Sequence, residues 1–362
     1  MNVPAMKLSV PFIPDEGYAR FLTRHASSLS SIYFALPSGP ITDARVRIAQ
    51  GLVPETRDLS TTLSSLKAID KYILMNTRFM PPGVYANNTI LSGILDDIAR
   101  LDKKFGIKGI VLSDMYLLQA LDQTEHDIVP CLELVPGINA MQDTPEKLFS
   151  FFELLGFSRF KKPTRIIPDR ALNRNPEKLA LLSKAVKTYD PDIRIELLAN
   201  EGCIYQCPFK LSHDAHISLS NTGLARESTF RMNQNLGCQA YFNLSPHAFL
   251  KSPFIRPGDI HHYQGIADGI KLCGRTRGVR FLKTCIRAYV KRCFDGNLLD
   301  LMDTPEILAR QWHIDNTRLG AQFFTTLTSC TKRCKPCKIC SKIFSQASWK
   351  KEIGFKSYKE FQ

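Results

Sequence analysis

One stretch decides the expected fold: Ile195-Glu196-Leu197-Leu198-Ala199-Asn200-Glu201-Gly202-Cys203-Ile204-Tyr205-Gln206-Cys207-Pro208-Phe209. It begins as a short apolar run with one polar residue inside it, which is typical of a buried strand. The run ends at Glu201 and Gly202, where a glycine permits a sharp turn. Cys203 and Cys207 follow in the turn, so the stretch predicts a functional loop at the end of a sheet strand.

Segments of the same kind recur on both sides of this stretch, with helical patterns between them. The eight predicted strands cover residues 7–11, 31–35, 71–75, 109–113, 127–133, 164–167, 194–200 and 269–273. The predicted helices cover 15–24, 88–104, a short segment from Met115, 144–155, 175–189 and 279–292. This alternation predicts an α/β fold, a (β/α)8 TIM-barrel-like domain. An open doubly wound sheet is the competing interpretation.

The chain is expected to contain a barrel and an extension. Residues 1–300 are assigned to a TIM-barrel-like catalytic domain. Its insertion after the seventh strand, residues 202–268, is expected on the face where barrel enzymes hold their active sites. Residues 301–362 are assigned to a C-terminal helix, over 303–328, and a basic, cysteine-rich tail.

The composition is that of a soluble globular protein, with 44% hydrophobic residues among 362. No apolar run is long enough to span a bilayer. Residues 1–14 show no basic segment followed by an apolar core, so we expect no secretory signal. Eleven cysteines in such a chain predict thiolate chemistry in a reducing compartment, and hence a cytoplasmic protein.

The formal net charge of +14 favours anionic partners such as nucleic acid, phosphorylated metabolites or acidic lipid. Solubility is the plainer explanation of the same charge. Part of the excess is local, because residues 331–362 contain nine Lys or Arg and only two Glu. We therefore expect an anionic substrate, with RNA among the candidates.

Four cysteines are candidate ligands near the predicted strand ends: Cys203, Cys207, Cys238 and Cys273. Cys273 ends the eighth predicted strand, which lies beside the seventh in a barrel. Four thiolates in such positions suit a [4Fe–4S] cluster, whereas thiolates joined by His213 or His216 suit zinc. Scattered free thiols are the alternative.

The three cysteines at apolar positions of predicted elements are expected in the core instead: Cys131, Cys285 and Cys293.

The tail contains the densest signal in the chain, a C-x3-C-x2-C-x2-C run formed by Cys330, Cys334, Cys337 and Cys340. Four thiolates this close can bind one tetrahedral metal or a second cluster. The first three also match the pattern of radical enzymes that use S-adenosylmethionine. In those enzymes the motif follows the first barrel strand, whereas here it follows the last predicted helix. A structural zinc knuckle is the alternative.

Basic residues flank the glycine turn after the eighth strand. Lys271, Arg275 and Arg277 are candidates to hold a carboxylate or phosphate at the barrel mouth, although an ordinary solvated turn has the same composition. Glu196 lies within an apolar strand, where a buried carboxylate needs a partner, and we expect Lys271 to be that partner. Motifs of serine hydrolases, zincins and P-loop enzymes are absent from the sequence.

Several of these residues together resemble the collagenase-like peptidase family, number thirty-two of the unassigned catalytic types. The resemblance rests on Asn200-Glu201-Gly202-Cys203 with Cys207 and His213, the runs 252–260 and 269–275, Tyr289, and Gly296-Asn297-Leu298. Order and spacing match over residues 195–302. Related sequences often have Pro-Glu-Asp where this chain has Pro257-Gly258-Asp259, and the tail lies outside the pattern.

The resemblance implies an activity other than the one in the family's name. Better understood members resemble oxygen-independent hydroxylases, among them a ubiquinone-biosynthesis pair and enzymes that hydroxylate ribosomal or transfer RNA. They carry a four-cysteine [4Fe–4S] cluster, and prephenate is the implied oxygen donor. The resemblance thus favours Cys203, Cys207 and Cys238 as cluster ligands.

We therefore expect an iron–sulfur enzyme that modifies RNA or a small molecule, with Lys271 and Arg275 holding an anionic group. One alternative is a metal-dependent peptidase, in which Glu201 and a metal activate water. Another is a non-catalytic iron–sulfur subunit, since barrel proteins of this family can act as a heterodimer of two related chains.

Overall fold

The computed structural model describes residues 5–36, 42–44, 56–225, 229–303 and 306–352. Eight parallel strands form its centre: β1 Lys7–Pro11, β2 Leu29–Ala35, β3 Asp70–Met75, β4 Gly109–Leu112, β5 Glu133–Pro136, β6 Arg165–Ile166, β7 Arg194–Leu198 and β8 Gly269–Lys271. The sheet order is β5-β4-β3-β2-β1-β8-β7-β6, and every neighbouring pair is parallel.

The sheet closes almost completely between β5 and the segment before β6. Lys161 forms a parallel bridge with Glu133. Its amide donates to the Leu132 carbonyl at 2.9 Å, and its carbonyl accepts from the Leu134 amide at 3.1 Å. The predicted TIM-barrel-like fold is confirmed.

The helices that surround or extend the barrel are α1 Glu16–Arg24, α2 Thr56–Leu63, α3 Pro82–Tyr85, α4 Asn88–Phe105, α5 Met115–Asp122, α6 Pro145–Gly156, α7 Pro176–Tyr189, α8 Lys210–Asn221, α9 Thr229–Asn235, α10 Cys238–Leu244, α11 Gly278–Lys291, α12 Glu306–Gln311, α13 Phe323–Thr328 and α14 Ile339–Ala347. Five begin at a side chain that accepts a backbone N–H of the first turn: Asp15, Asn87, Asp114, Thr144 and Asn175. Such caps satisfy amides that have no partner within the helix.

Two predicted elements are wrong. The strand expected over 127–133 is a 3-10 turn, Val129–Cys131, and β5 begins only at Glu133. Pro130 has no amide hydrogen to donate to a neighbouring strand, so the apolar run does not extend the sheet. The helix expected over 303–328 is instead divided into α12, the short strand β9 (Trp312–Ile314), a 3-10 turn and α13.

The cysteines expected in the core have different surroundings. Cys285 is buried, as predicted. Cys131 and Cys293 are exposed, so that prediction is wrong for both. Cys131 ends the 3-10 turn before β5, and Cys293 follows the end of α11, so neither side chain is held against the sheet.

Side chains alternate along the strands and divide the apolar core in two. The larger part lies between the strands and the helices and includes Leu8, Ile32 and Ile110. The smaller part lies inside the barrel and consists of buried residues from successive strands: Tyr33, Tyr72, Leu74, Val111, Val135 and Ile167. The barrel interior is therefore packed rather than open.

Below this inner core, Arg165 extends into the barrel with only 2% of its surface exposed. Its guanidinium donates to Glu196 Oε1 at 2.8 Å, to Ser31 Oγ at 2.6 Å and to Asp70 Oδ2 at 3.2 Å. It also lies 4.4 Å from the centre of the Tyr72 ring. These contacts join residues of four different strands.

The partner of Glu196 therefore differs from the one expected. Glu196 pairs with Arg165, and the described residues contain no Glu196–Lys271 ion pair, so that prediction is wrong. The register places Glu196 opposite Gly269, and Lys271 two pairs further along, beside Leu198. A Cβ atom at Gly269 would lie 3.2 Å from Glu196 Cγ, which explains a glycine at this position.

The C-terminal extension packs against the barrel. The strand β10, Ser348–Lys350, pairs antiparallel with β9. Phe344 of α14 is buried and makes an edge contact with Trp312, with ring centres 5.0 Å apart. No helix among the described residues combines the length and the apolar composition needed to cross a membrane.

Replacing Arg165 with methionine is expected to lower the free energy of unfolding by about 3–5 kcal/mol, because it leaves the Glu196 carboxylate buried without its partner. The double variant Arg165→Met/Glu196→Leu is expected to recover much of this loss. Urea unfolding followed by circular dichroism measures both. The matched control is Arg20→Met, which removes an exposed pair with Glu16 and should cost less than about 1 kcal/mol. Equal losses for Arg165→Met and the control would contradict the role of Arg165.

Candidate functional site

A cavity of about 130 Å³ opens at the carboxyl ends of the strands. Its wall contains seven of the residues predicted for a site at this face: Glu201, Cys203, Cys207, Cys238, Lys271, Cys273 and Arg275. They come from the loop after β7, the first turn of α10, the last residue of β8 and the segment that follows it. The fold thus brings together residues that are up to 74 positions apart in sequence, between Glu201 and Arg275.

The side chain of Asn200 fixes the ends of β7 and β8 relative to each other. Its Oδ1 accepts from the Cys273 amide at 2.7 Å. Its Nδ2 donates to the Cys273 carbonyl at 3.0 Å and to the Leu301 carbonyl at 3.1 Å. Asn200 is completely buried, so these bonds are shielded from water and hold Cys273 at the cavity wall.

The loop after β7 turns back so that both of its cysteines reach the cavity. Gln206 adopts a φ of 48°, in the left-handed region that non-glycine residues rarely occupy. Such a conformation persists only where its surroundings determine it, and it occurs often at functional sites. Here it lies between Cys203 and Cys207.

Arg170 is the main site residue that the sequence did not reveal. It lies in the 3-10 turn Arg170–Arg174 after β6, forms an ion pair with Glu201, and donates to Cys203 Sγ at 3.4 Å. Burial disfavours its charge, but Glu201 and Cys203 raise its pKa, and the net shift is upward. A lone arginine after a two-residue strand carries no motif, and its position after a strand end was the one signal available.

Burial favours the neutral form of these thiols. It raises the pKa of Cys203, and it raises the pKa of Cys238 to about 11. The charge of Glu201 raises the pKa of Cys203 further, as do Cys238 and Cys207 when they are ionised, whereas Arg170 lowers it. The ionisation of each of these three sulfur atoms therefore affects the other two. A bound metal would displace their protons, because the thiolate is the ligand.

Lys271 and Arg275 supply positive charge to the same cavity. Lys271 Nζ lies 3.2 Å from the centre of the Tyr33 ring. Burial lowers the pKa of Lys271 to about 7, although the charge of Glu196 acts in the opposite direction. Arg275 forms an ion pair with Asp43. Arg277 is absent from the cavity wall and lies 3.7 Å from Glu306 instead.

The two histidines considered as zinc ligands differ in position. His213, on α8, lines the cavity, and its Nε2 lies 3.0 Å from Asn233 Nδ2. His216 is not part of the cavity wall. Lys210 and Asp214 of the same helix form an ion pair at the wall, and the sequence did not single them out.

Four cysteines share one cavity wall: Cys203, Cys207, Cys238 and Cys273. Among the residues that the structure describes, no three His, Cys, Asp or Glu side chains form a group able to hold a metal ion. The predicted cluster therefore stays a prediction at this site.

The tail cysteines lie elsewhere. Cys330, Cys334, Cys337 and Cys340 line a second, separate cavity of about 60 Å³. The predicted tail motif and the predicted strand-end set thus occupy two places in the structure.

Comparison with known proteins finds a similar sequence and a similar structure. No protein-family model matches the chain. The structure of the U32 peptidase Mk0906 aligns with a TM-score of 0.47 and 16% identity, over 74% of this chain and 92% of that one. The uncharacterized protease MJ1657 of Methanocaldococcus jannaschii is 27% identical over 271 residues, which cover 74% of this chain and 72% of that protein.

The relationship to this curated protease agrees with the predicted resemblance to the collagenase-like peptidase family. The roles of the cavity residues stay predictions.

The variant Asn200→Ala tests the link between the two strand ends. It removes three buried hydrogen bonds and leaves the Cys273 amide without its acceptor, so we expect the free energy of unfolding to fall by about 2–4 kcal/mol. The control Asn87→Ala removes an exposed helix cap and should cost about 1 kcal/mol. Denaturant unfolding compares the two, and a loss at Asn200 no larger than the control would refute the link.

Proposed function

We propose that the protein is an iron–sulfur enzyme that modifies an anionic substrate without dioxygen, with a [4Fe–4S] cluster held by Cys203, Cys207, Cys238 and Cys273. The single observation that carries the proposal is that these four side chains line one cavity at the face where barrel enzymes hold their sites. The family resemblance supports it, because that resemblance implies a four-cysteine cluster.

The surroundings of the cysteines support a thiolate-bound group. Arg170 Nη1 lies 3.4 Å from Cys203 Sγ, and a nearby cation favours the thiolate over the thiol. A cluster bound by four thiolates has a net negative charge, which Arg170 and Lys271 would partly balance. When bound, the cluster would supply one-electron redox chemistry, at a potential set by its hydrogen bonds and burial.

The other residues of the cavity wall support a proposal for the class of substrate. Lys271 and Arg275 offer positive charge for a carboxylate or phosphate, and Leu74, Val111 and Ile138 offer an apolar surface. Lys271 would bind the anionic group directly, since it lies inside the cavity and has no carboxylate partner of its own among the described residues. Such a site suits a small organic acid or one nucleobase with its phosphate.

RNA could be the substrate if its target base enters the cavity alone. The cavity is too small for a duplex, so a target base would have to leave its stack, as in other enzymes that act on bases. The net charge of +14 would attract the RNA backbone. The oxygen atom would come from an organic donor, as the family resemblance implies.

A peptidase is the second candidate, favoured by the name of the relative from Methanocaldococcus jannaschii, an uncharacterized protease. In this chain Glu201 would be the base that activates a metal-bound water. Its carboxylate is already paired with Arg170, however, and that pairing suits a positioning role better than proton transfer.

Anaerobic purification followed by iron and sulfide analysis tests the cluster. Each of the variants Cys203→Ala, Cys207→Ala, Cys238→Ala and Cys273→Ala is expected to lose up to about four irons per chain relative to the unmodified protein, with matching sulfide. The controls Cys131→Ala and Cys293→Ala remove exposed cysteines outside the cavity and should keep the full content. Zinc without sulfide would favour the peptidase, and unchanged iron in all four variants would reject the proposed ligands.

The substrate role of Lys271 has a separate test. Cells lacking the protein should lose a hydroxylated nucleoside or metabolite, detected by mass spectrometry, and the unmodified gene should restore it. Lys271→Met should retain the cluster yet reduce the product by about 10²-fold or more, because misplaced substrates react slowly. Lys103→Met, an exposed lysine on α4, is the control. Full activity of Lys271→Met would remove this residue from the mechanism.

A further inference from the structure

The second cavity is built by the C-terminal tail. It lies where the loop between α13 and α14 meets the barrel insertion, and all four tail cysteines line it. Three cationic side chains also line it, Arg174, Lys251 and Lys332, together with His247, Leu327 and Ser341. Packing does not explain three cations beside four thiols around one small space, because charged groups are costly to bury.

Arg174 is the clearest sign that the space holds an anion. Only 2% of its surface is exposed, and its Cζ lies 4.8 Å from the centre of the Phe254 ring. Its Nε donates to the Ser252 carbonyl at 2.9 Å, but its Nη2 has no hydrogen-bond partner. No carboxylate of the described chain pairs with it. A buried, unpaired guanidinium is costly, so a negative occupant of the cavity would be stabilised strongly.

The two lysines act directly on the tail cysteines. Lys251 Nζ lies 3.8 Å from Cys334 Sγ. The Lys332 amide donates to Cys330 Sγ at 3.3 Å, and the Lys332 ammonium donates to the Cys330 carbonyl at 2.9 Å. Hydrogen bonds and cations at the sulfur atoms stabilise thiolates and tune the metal groups that thiolates bind.

The backbone of the tail loop repeats a feature of the first cavity. Lys332 adopts a φ of 62° between Cys330 and Cys334, as Gln206 does between Cys203 and Cys207. In both C-x3-C segments one non-glycine residue takes a rare left-handed conformation. The repetition supports a common purpose, namely turning two cysteines toward one space.

The four tail cysteines line one cavity of about 60 Å³. Four thiolates can bind either a tetrahedral zinc ion or an iron–sulfur cluster. The hydrogen bonds and cations at the sulfur atoms are the kind that tune a cluster. We propose that Cys330, Cys334, Cys337 and Cys340 bind a second iron–sulfur cluster, distinct from the one in the first cavity.

The two cavities are neighbours. Arg170 lines the first and Arg174 the second, and both belong to one 3-10 turn. Four residues of such a turn span about 8 Å, at about 2.0 Å of rise per residue. Lys332 Nζ also lies 5.8 Å from the ring of Tyr205, in the loop that carries Cys203 and Cys207.

Iron and sulfide analysis of matched variants of the full chain tests this inference. The unmodified protein should contain about eight irons, the double variant Cys334→Ser/Cys337→Ser about four, and Cys203→Ala/Cys207→Ala about four. Combining both pairs should remove nearly all iron, whereas the control Cys293→Ser should change nothing. These variants thus test the tail proposal and the proposal for the first cavity separately, so that either one can be rejected without the other.

Two results would overturn the tail proposal: iron content unchanged in the tail variant, or about one zinc per chain lost from it without sulfide. If the cysteine variants fail to fold, Lys251→Gln provides a second test. It removes a positive charge near Cys334 and should lower the reduction potential of one cluster while iron content stays constant. Lys103→Gln is the control, and identical potentials in the two variants would contradict the proposal.

Discussion

The ion pair between Arg165 and Glu196 is the constraint on which the barrel depends. A guanidinium in this interior needs hydrogen-bond partners, because an unpaired one would destabilise the fold. The Nη1 and Nη2 atoms of Arg165 donate to partners on β2, β3 and β7, whereas its Nε has none among the described residues. Arg165 thus ties strands on opposite sides of the barrel. It fills the lower interior, the aromatic and aliphatic core lies above it, and the cavity is left at the carboxyl ends of the strands.

Much of the fold was predictable because local patterns and tertiary contacts agree. β1 was placed with its observed bounds, and the start of α7 followed from Asn175 and Pro176. The fifth strand was misplaced because the apolar run before Leu132 looks like a strand, whereas the true strand begins with Glu133, a buried acid that accepts from the Tyr72 hydroxyl. Closure could not be predicted, since it depends on a bridge formed by Lys161, outside every apolar run.

The site was predictable where it carries motifs and unpredictable where it depends on distant partners. Cys203, Cys207, Cys273 and Arg275 reach one cavity because they follow the ends of the adjacent strands β7 and β8, and Lys271 ends β8 itself. Arg170 and Arg174 were missed, since isolated arginines after a weak strand have no distinctive spacing. The predicted partner of Glu196 was wrong for a related reason. Lys271 and Arg165 both lie on strands beside β7, and only the strand register decides which of them contacts Glu196.

The short turn after β6 therefore separates two groups of thiols and places one arginine toward each. The most direct test of the central claim is diffraction from anaerobically grown crystals, recorded on both sides of the iron absorption edge. We predict a strong iron signal in the cavity bounded by Cys203, Cys207, Cys238 and Cys273. Well-ordered thiols with no iron between them, or a signal at the zinc edge only, would contradict the claim.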